Sequence, residues 1–137
     1  MLTQPLLDKL SQLRLSGFRA ALEEQLHNPQ YDDLSFEERL GLLVDIETTR
    51  RANNSLRRRI KAARFPIAAT IEDLDLSARR GLNRGQVLQL AQSEWVGRHL
   101  NLMILGPTGA GKTYLASALG RAACQAGCKV RYERTSR

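Results

Sequence analysis

The stretch "NLMILGPTGAGKTYLASALG", residues 101–120, restricts the possible folds more than any other part of the chain. Leu102, Met103, Ile104 and Leu105 form a short apolar run that fits a buried strand of the parallel type. "GPTGAGKT" at 106–113 then fills every fixed position of G-x-x-x-x-G-K-[ST]. Helical spacing follows through Leu115, Ala118 and Leu119, with Gly127 as a C-terminal stop. Four fixed positions coincide by accident in a chain of this length only on the order of once in a few hundred. Strand, loop and helix also come in the order a phosphate-binding loop requires.

The residue types account for the chemistry expected there. Gly106, Gly109 and Gly111 permit backbone dihedrals and close approach that side chains forbid. Successive N–H groups can then point at phosphate oxygens, and the helix that follows adds the positive end of its dipole. Pro107, Thr108 and Ala110 complete the candidate nucleotide-binding loop. Lys112 is expected to place its charge on the β- and γ-phosphates, and the Thr113 hydroxyl to bind Mg²⁺.

Upstream, the apolar spacing is helical. Leu6, Leu7, Leu10 and Leu13 follow Thr3, a candidate cap, and Pro5 sits where a first turn tolerates it. Ser16 and Gly17 interrupt the pattern, which restarts at Phe18, Ala21, Leu22 and Leu26 and stops at Asn28 and Pro29. Ser35 and Glu38 have capping-box spacing ahead of Phe36, Leu40, Leu43 and Ile46. At 100° per residue, that stripe and the later one of Ala52, Leu56, Ile60 and Ala63 are centred roughly 150° apart. One straight helix cannot bury both against a single core, so a kink or break is expected near Asn53 and Asn54, and an end before Pro66. "TIEDLDLSARRGLNRG" mixes turn-formers with isolated apolar residues, "QVLQLAQSEWV" reads as a further helix, and Trp95 as a core or interdomain anchor.

Charge divides the chain. Residues 1–49 carry four Lys/Arg and nine Asp/Glu, whereas residues 50–137 carry seventeen and five. The basic part favours an anionic partner such as nucleic acid, the alternative being a basic solvated surface. Between Arg50 and Arg64 there are seven Lys/Arg and no acid. On a helical wheel Arg50, Arg57, Lys61 and Arg64 fall within about 60° of one another, beside Leu56 and Ile60. Such a stripe suits salt-dependent phosphate contacts without base reading; a solvated face with snorkelling Arg stems is the other reading. Cys124 and Cys128 lack metal-ligand and redox spacing and read as buried thiols. No apolar run reaches membrane-spanning length and the N-terminal stretch does not read as a signal peptide, so a cytoplasmic protein without membrane partners is expected.

Taken in order, "LRLSGFRAALEEQ", "LSFEERLGLLVDIE", "RRANNSLRRRIKAARFP", "IEDLDLSARRGLNR" and "NLMILGPTGAGKTYLASALGRAACQAGCKVRY" resemble the IstB-like ATP-binding proteins of bacterial insertion sequences. "LSFEERLGLL" and "KAARFP" carry the most specific match. The family is of the AAA+ type, related to DnaC-type helicase loaders. The resemblance implies a mainly α N-terminal domain for DNA binding or oligomerisation, placed at residues 1–66. The start of an α/β P-loop domain follows at 67–137, with its sheet incomplete. It further implies ATP and Mg²⁺ as cofactors, and DNA, a cognate transposase and further copies of the chain as partners. Tyr114 stands where the family more often has His. The family's acidic motif, sensor and basic finger lie beyond "VRYERTSR", so no ATP turnover is expected of this chain alone, and "NLMIL" and "KVRYE" are not expected to pair. A DnaC-like helicase loader and a non-enzymatic DNA-binding module with a vestigial nucleotide site are the alternatives.

Overall fold

The protein is described from a computed structural model, which covers residues 2–76 and 81–135. Residues 77–80, within the stretch read as turn-forming, and residues 136–137 lie outside the described residues. Six α-helices are described: α1 (Thr3–Gln12), α2 (Ser16–His27), α3 (Phe36–Ala63), α4 (Arg84–Ala91), α5 (Glu94–Gly97) and α6 (Lys112–Gln125). A 3₁₀ turn, Pro29–Tyr31, separates α2 from α3. The chain divides into two compact units, Met1–Ser55 and Leu56–Arg137, and the division falls inside α3 rather than at residue 66.

In the first unit Leu7 and Leu10 of α1, Ala21 and Gln25 of α2, and Leu43 and Glu47 of α3 are buried. Thr3 is the first residue of α1 rather than its cap; Leu2 holds that position and brings no side-chain acceptor. Arg14, in the left-handed region at φ 60°, turns the chain, and Ser16 and Gly17 open α2 rather than separate the helices. Asn28 ends α2 and its side chain accepts from the Gln30 amide. The capping box forms as its spacing predicts: the Ser35 amide donates to Glu38 Oε2 at 3.0 Å and the Glu38 amide to Ser35 Oγ at 3.1 Å.

Of the kink or break expected near Asn53 and Asn54, the break is absent, because α3 continues through both. That expectation rested on a single core. With two compact units, Leu43 and Glu47 are buried in the first and Ala63 in the second, so the two parts of α3 bury residues in separate units and the helical period need not be interrupted. The first stripe also differs in detail. Phe36, Leu40 and Ile46 are exposed, and the buried position one residue past Ile46 is a carboxylate, Glu47. Helix α3 ends at Ala63, and Arg64 follows at φ 58°, a left-handed stop ahead of Pro66.

The second unit centres on Val87, Leu115 and Leu119, against which Ile71, Leu74, Leu82, Leu90, Leu102 and Ile104 pack. Asn83 caps α4 by accepting from the Gln86 amide at 3.1 Å. The single helix expected over "QVLQLAQSEWV" is divided at Ser93, whose φ of 65° ends one helix and starts the next. Trp95 anchors that corner by donating its indole N–H to the Leu90 carbonyl at 3.0 Å. On α6, Leu115, Ser117, Ala118, Leu119, Ala122, Ala123 and Cys124 are all buried. Burial pushes the Cys124 thiol pKa above its ordinary value.

Two features of "RRRIKAARFP" lock onto α6 and its continuation. Arg59 Nε donates to the Cys124 carbonyl at 2.9 Å, satisfying an acceptor in the last turn of α6. A Cβ placed on Gly120 would lie 2.5 Å from Phe65 Cε1, so the absence of a side chain there is what admits the ring. Beyond α6, the Tyr132 amide donates to the Ala63 carbonyl at 2.8 Å. No strand forms among the described residues, which corrects the reading of 101–105 and 129–133 as strands. A strand is defined by hydrogen bonds to a neighbour, and these two segments have no strand partner among the described residues. Segment 101–105 still alternates with period two: Leu102 and Ile104 pack on the core, whereas Met103 and Leu105 are 82% and 87% exposed.

Candidate nucleotide and nucleic-acid sites

Residues 106–111 form an exposed loop between Leu105 and α6. Gly109 and Gly111 have φ of 82° and 92°, so a side chain at either would strain the backbone. Gly106 is outside that region, and a Cβ on it would meet the Ala110 and Lys112 side chains only at 3.7 Å. The Ala110 amide closes a turn onto the Pro107 carbonyl at 3.2 Å, with Thr108 inside it. Gly111 is the cap residue of α6 and supplies no side chain, which leaves the first amides of the helix facing the loop.

Lys112 and Thr113 open α6. The Lys112 ammonium reaches back to the Gly106 carbonyl at 2.6 Å, spanning the loop from its last position to its first. Thr113 is exposed. The sequence-predicted residues thus form one continuous site made of donors: helix-end amides, an ammonium and a hydroxyl, with no acid among residues 106–113. Such a donor set fits a polyphosphate, and the Thr113 hydroxyl is the group available to the Mg²⁺ that would accompany it.

The basic stripe separates into two environments. Arg50 belongs to a buried hub that the sequence reading missed. Glu47, buried on α3, accepts from the Gly17 and Phe18 amides at 3.1 and 3.3 Å, from Arg50 Nη2 at 2.7 Å and from Arg51 Nε at 3.1 Å. Hydrogen bonds from Arg50, then the Phe18 amide and Arg51, outweigh burial and lower the Glu47 pKa from 4.5 to about 2. Arg50 also donates to the Arg14 carbonyl at 3.1 Å, so its guanidinium is held within the first unit. Arg57, Lys61 and Arg64 are exposed. The amides that Glu47 caps lie 29 and 30 residues away in sequence, beyond the reach of any local spacing rule.

The relatives define the class of protein, one carried by bacterial insertion sequences and named for ATP binding. A protein of Pseudomonas fluorescens named as an ATP-binding protein of insertion sequence IS1162 is 46% identical over 100% of this chain and 60% of its own length. The protein y4pL of Sinorhizobium fredii, similarly named, is 39% identical over 100% of the chain and 56% of its own. One named Rv3427c, from Mycobacterium tuberculosis, is 36% identical over 93% of the chain and 51% of its own. The chain therefore spans between 51% and 60% of the length of these relatives. Residues 8–137 match the family described as IstB-like ATP binding protein, and the chain belongs to that family. No helix among the described residues is long and apolar enough to cross a membrane.

Proposed function

We propose that this protein binds ATP with Mg²⁺ through residues 106–113 and holds DNA by its backbone through Arg57, Lys61 and Arg64. In this reading it is an ATP-dependent helper in the transposition of an insertion sequence, acting with a transposase and with further copies of itself. The observation that carries the nucleotide half is the loop itself. Two left-handed glycines and the Lys112 ammonium at its mouth form a cradle of donors ahead of α6. A bound polyphosphate would take the ammonium from the Gly106 carbonyl and use the helix-end amides directly.

Fluorescent-ATP titration tests this half. Lys112→Ala should weaken binding by about tenfold or more, as expected for loss of a charge-assisted contact worth about 1.5–3 kcal/mol. Equal affinity in the two proteins would refute a nucleotide role for the loop. Thr113→Ala should reduce the dependence of affinity on Mg²⁺ while leaving binding in EDTA nearly unchanged.

The DNA half rests on three exposed cations at the C-terminal end of α3, in a stretch that holds no acid. Phosphate contacts of this kind release counterions, so affinity should fall steeply with salt and vary little with sequence. Replacing Arg57, Lys61 and Arg64 together by Gln should reduce the slope of log affinity against log salt by about 0.9 for each phosphate they neutralise on a duplex. An unchanged slope would assign these side chains to a solvated face.

A further inference from the structure

The basic stripe has a neighbour that the sequence did not associate with it. Lys61 and Arg64 line a cleft of about 280 Å³ together with Arg121, which comes from α6. Ile60, Phe65 and Pro66 supply apolar wall, and no acid lines the cleft. Arg121 Nε itself is covered by protein and has no hydrogen-bond partner among the described residues. A buried guanidinium N–H left unpaired is unfavourable, and rotation of the Arg121 side chain toward an anion in the cleft would remove that cost.

We propose that Arg121, Lys61 and Arg64 together form a binding cleft for a phosphodiester of the DNA backbone, with the sugar lying against Phe65 and Pro66. The inference rests on the DNA-binding reading above and adds to it a residue and a place. Arg121 stands nine residues beyond Lys112 on the same helix. At 1.5 Å per residue that is about 13 Å of helix rise, too far for Arg121 to share a phosphate with the nucleotide loop. The mixture of three cations with an apolar wall suits a backbone, whose phosphates alternate with sugars, better than a free inorganic anion. Arginine contributes a planar donor fork and lysine a point charge, so the cleft grips a phosphate from several sides without reading a base.

The test uses the full chain and a fluorescein-labelled duplex of arbitrary sequence, followed by anisotropy over a salt series. Arg121→Gln should weaken DNA binding by about five- to tenfold at moderate salt and reduce the salt slope, by at most about 0.9. Arg121→Lys, which keeps the charge, should stay within about twofold of the wild type. Fluorescent-ATP affinity should be unchanged in both. Should Arg121→Gln lose helical circular dichroism, the exposed pair Lys61→Gln/Arg64→Gln should give the same loss of DNA affinity in a folded protein. Wild-type DNA affinity and slope in a folded Arg121→Gln protein would overturn the cleft while leaving the DNA reading in place. Failure of the wild type to bind DNA at all would overturn both. Inorganic phosphate, compared with chloride at equal ionic strength, should compete no better; saturable competition by phosphate would reassign the cleft to a free anion.

Discussion

Replacing Glu47 by alanine should destabilise the first unit by about 2–4 kcal/mol. Helix α2 has no side-chain cap of its own, since Leu15 occupies the cap position. Its Gly17 and Phe18 amides are satisfied instead by the Glu47 carboxylate from α3. An N-terminal cap is worth about 1 kcal/mol, and a charged acceptor at the positive end of a helix adds to it. Truncation also leaves the half-buried Arg50 without its counter-charge. Hydrogen exchange at the α2 amides is the appropriate measurement, because a chain of two compact units need not unfold in one step. Unchanged protection of α2 in Glu47→Ala would show that the carboxylate is dispensable.

The same residue sets a pH dependence. Glu47 titrates near 2 in the folded chain against 4.5 ordinarily, so the unfolded chain binds its proton more readily. Its contribution is fully present above pH 4.5 and is lost as pH falls from 4.5 through about 2. Glu47→Gln should therefore be less stable than the wild type at pH 7, and the difference should narrow below pH 4. A wild type and variant whose stabilities run parallel across that window would refute the assignment.

In the second unit, Gly120→Ala should reverse the usual effect of that substitution. In an exposed helix interior, alanine is favoured over glycine by about 0.8–1 kcal/mol. Here the new Cβ would lie 2.5 and 2.8 Å from Phe65 Cε1 and Cζ. The ring must swing away, and Phe65 is confined between Arg64 in a left-handed conformation and Pro66. Overpacking of this kind costs about 1–3 kcal/mol, enough to outweigh the propensity gain and leave a net loss. Gly120→Val, bulkier and β-branched, should lose about 3 kcal/mol or more and release α6 from the end of α3. A double-mutant cycle gives the decisive sign: in a Phe65→Ala background, Gly120→Ala should become neutral or stabilising. Destabilisation of equal size in both backgrounds would remove the ring from the account.

What the sequence determined by itself was everything governed by local rules. The capping box at Ser35 and Glu38, the stop before Pro66, the opening of α6 at Lys112 and the left-handed glycines of the loop follow from neighbours within four residues. The candidate nucleotide loop was legible for the same reason, since eight consecutive residues hold its whole donor set. Tertiary structure decided which apolar residues found a core. Ile46 has helical spacing with Leu43, yet it is exposed and Glu47 is buried, because a carboxylate there meets two helix-end amides and two guanidinium groups. Asn53 and Asn54 are poor helix formers, yet α3 continues through them, because its two parts bury residues in separate units. "LMIL" had the composition of a buried strand, but composition cannot supply the hydrogen-bonding neighbour that makes a strand, and Met103 and Leu105 remain exposed. The meeting of Arg121 with Lys61 and Arg64 is of the same kind, since nearly sixty residues separate them in the chain and only the packing of α6 beside Phe65 brings them to one cleft.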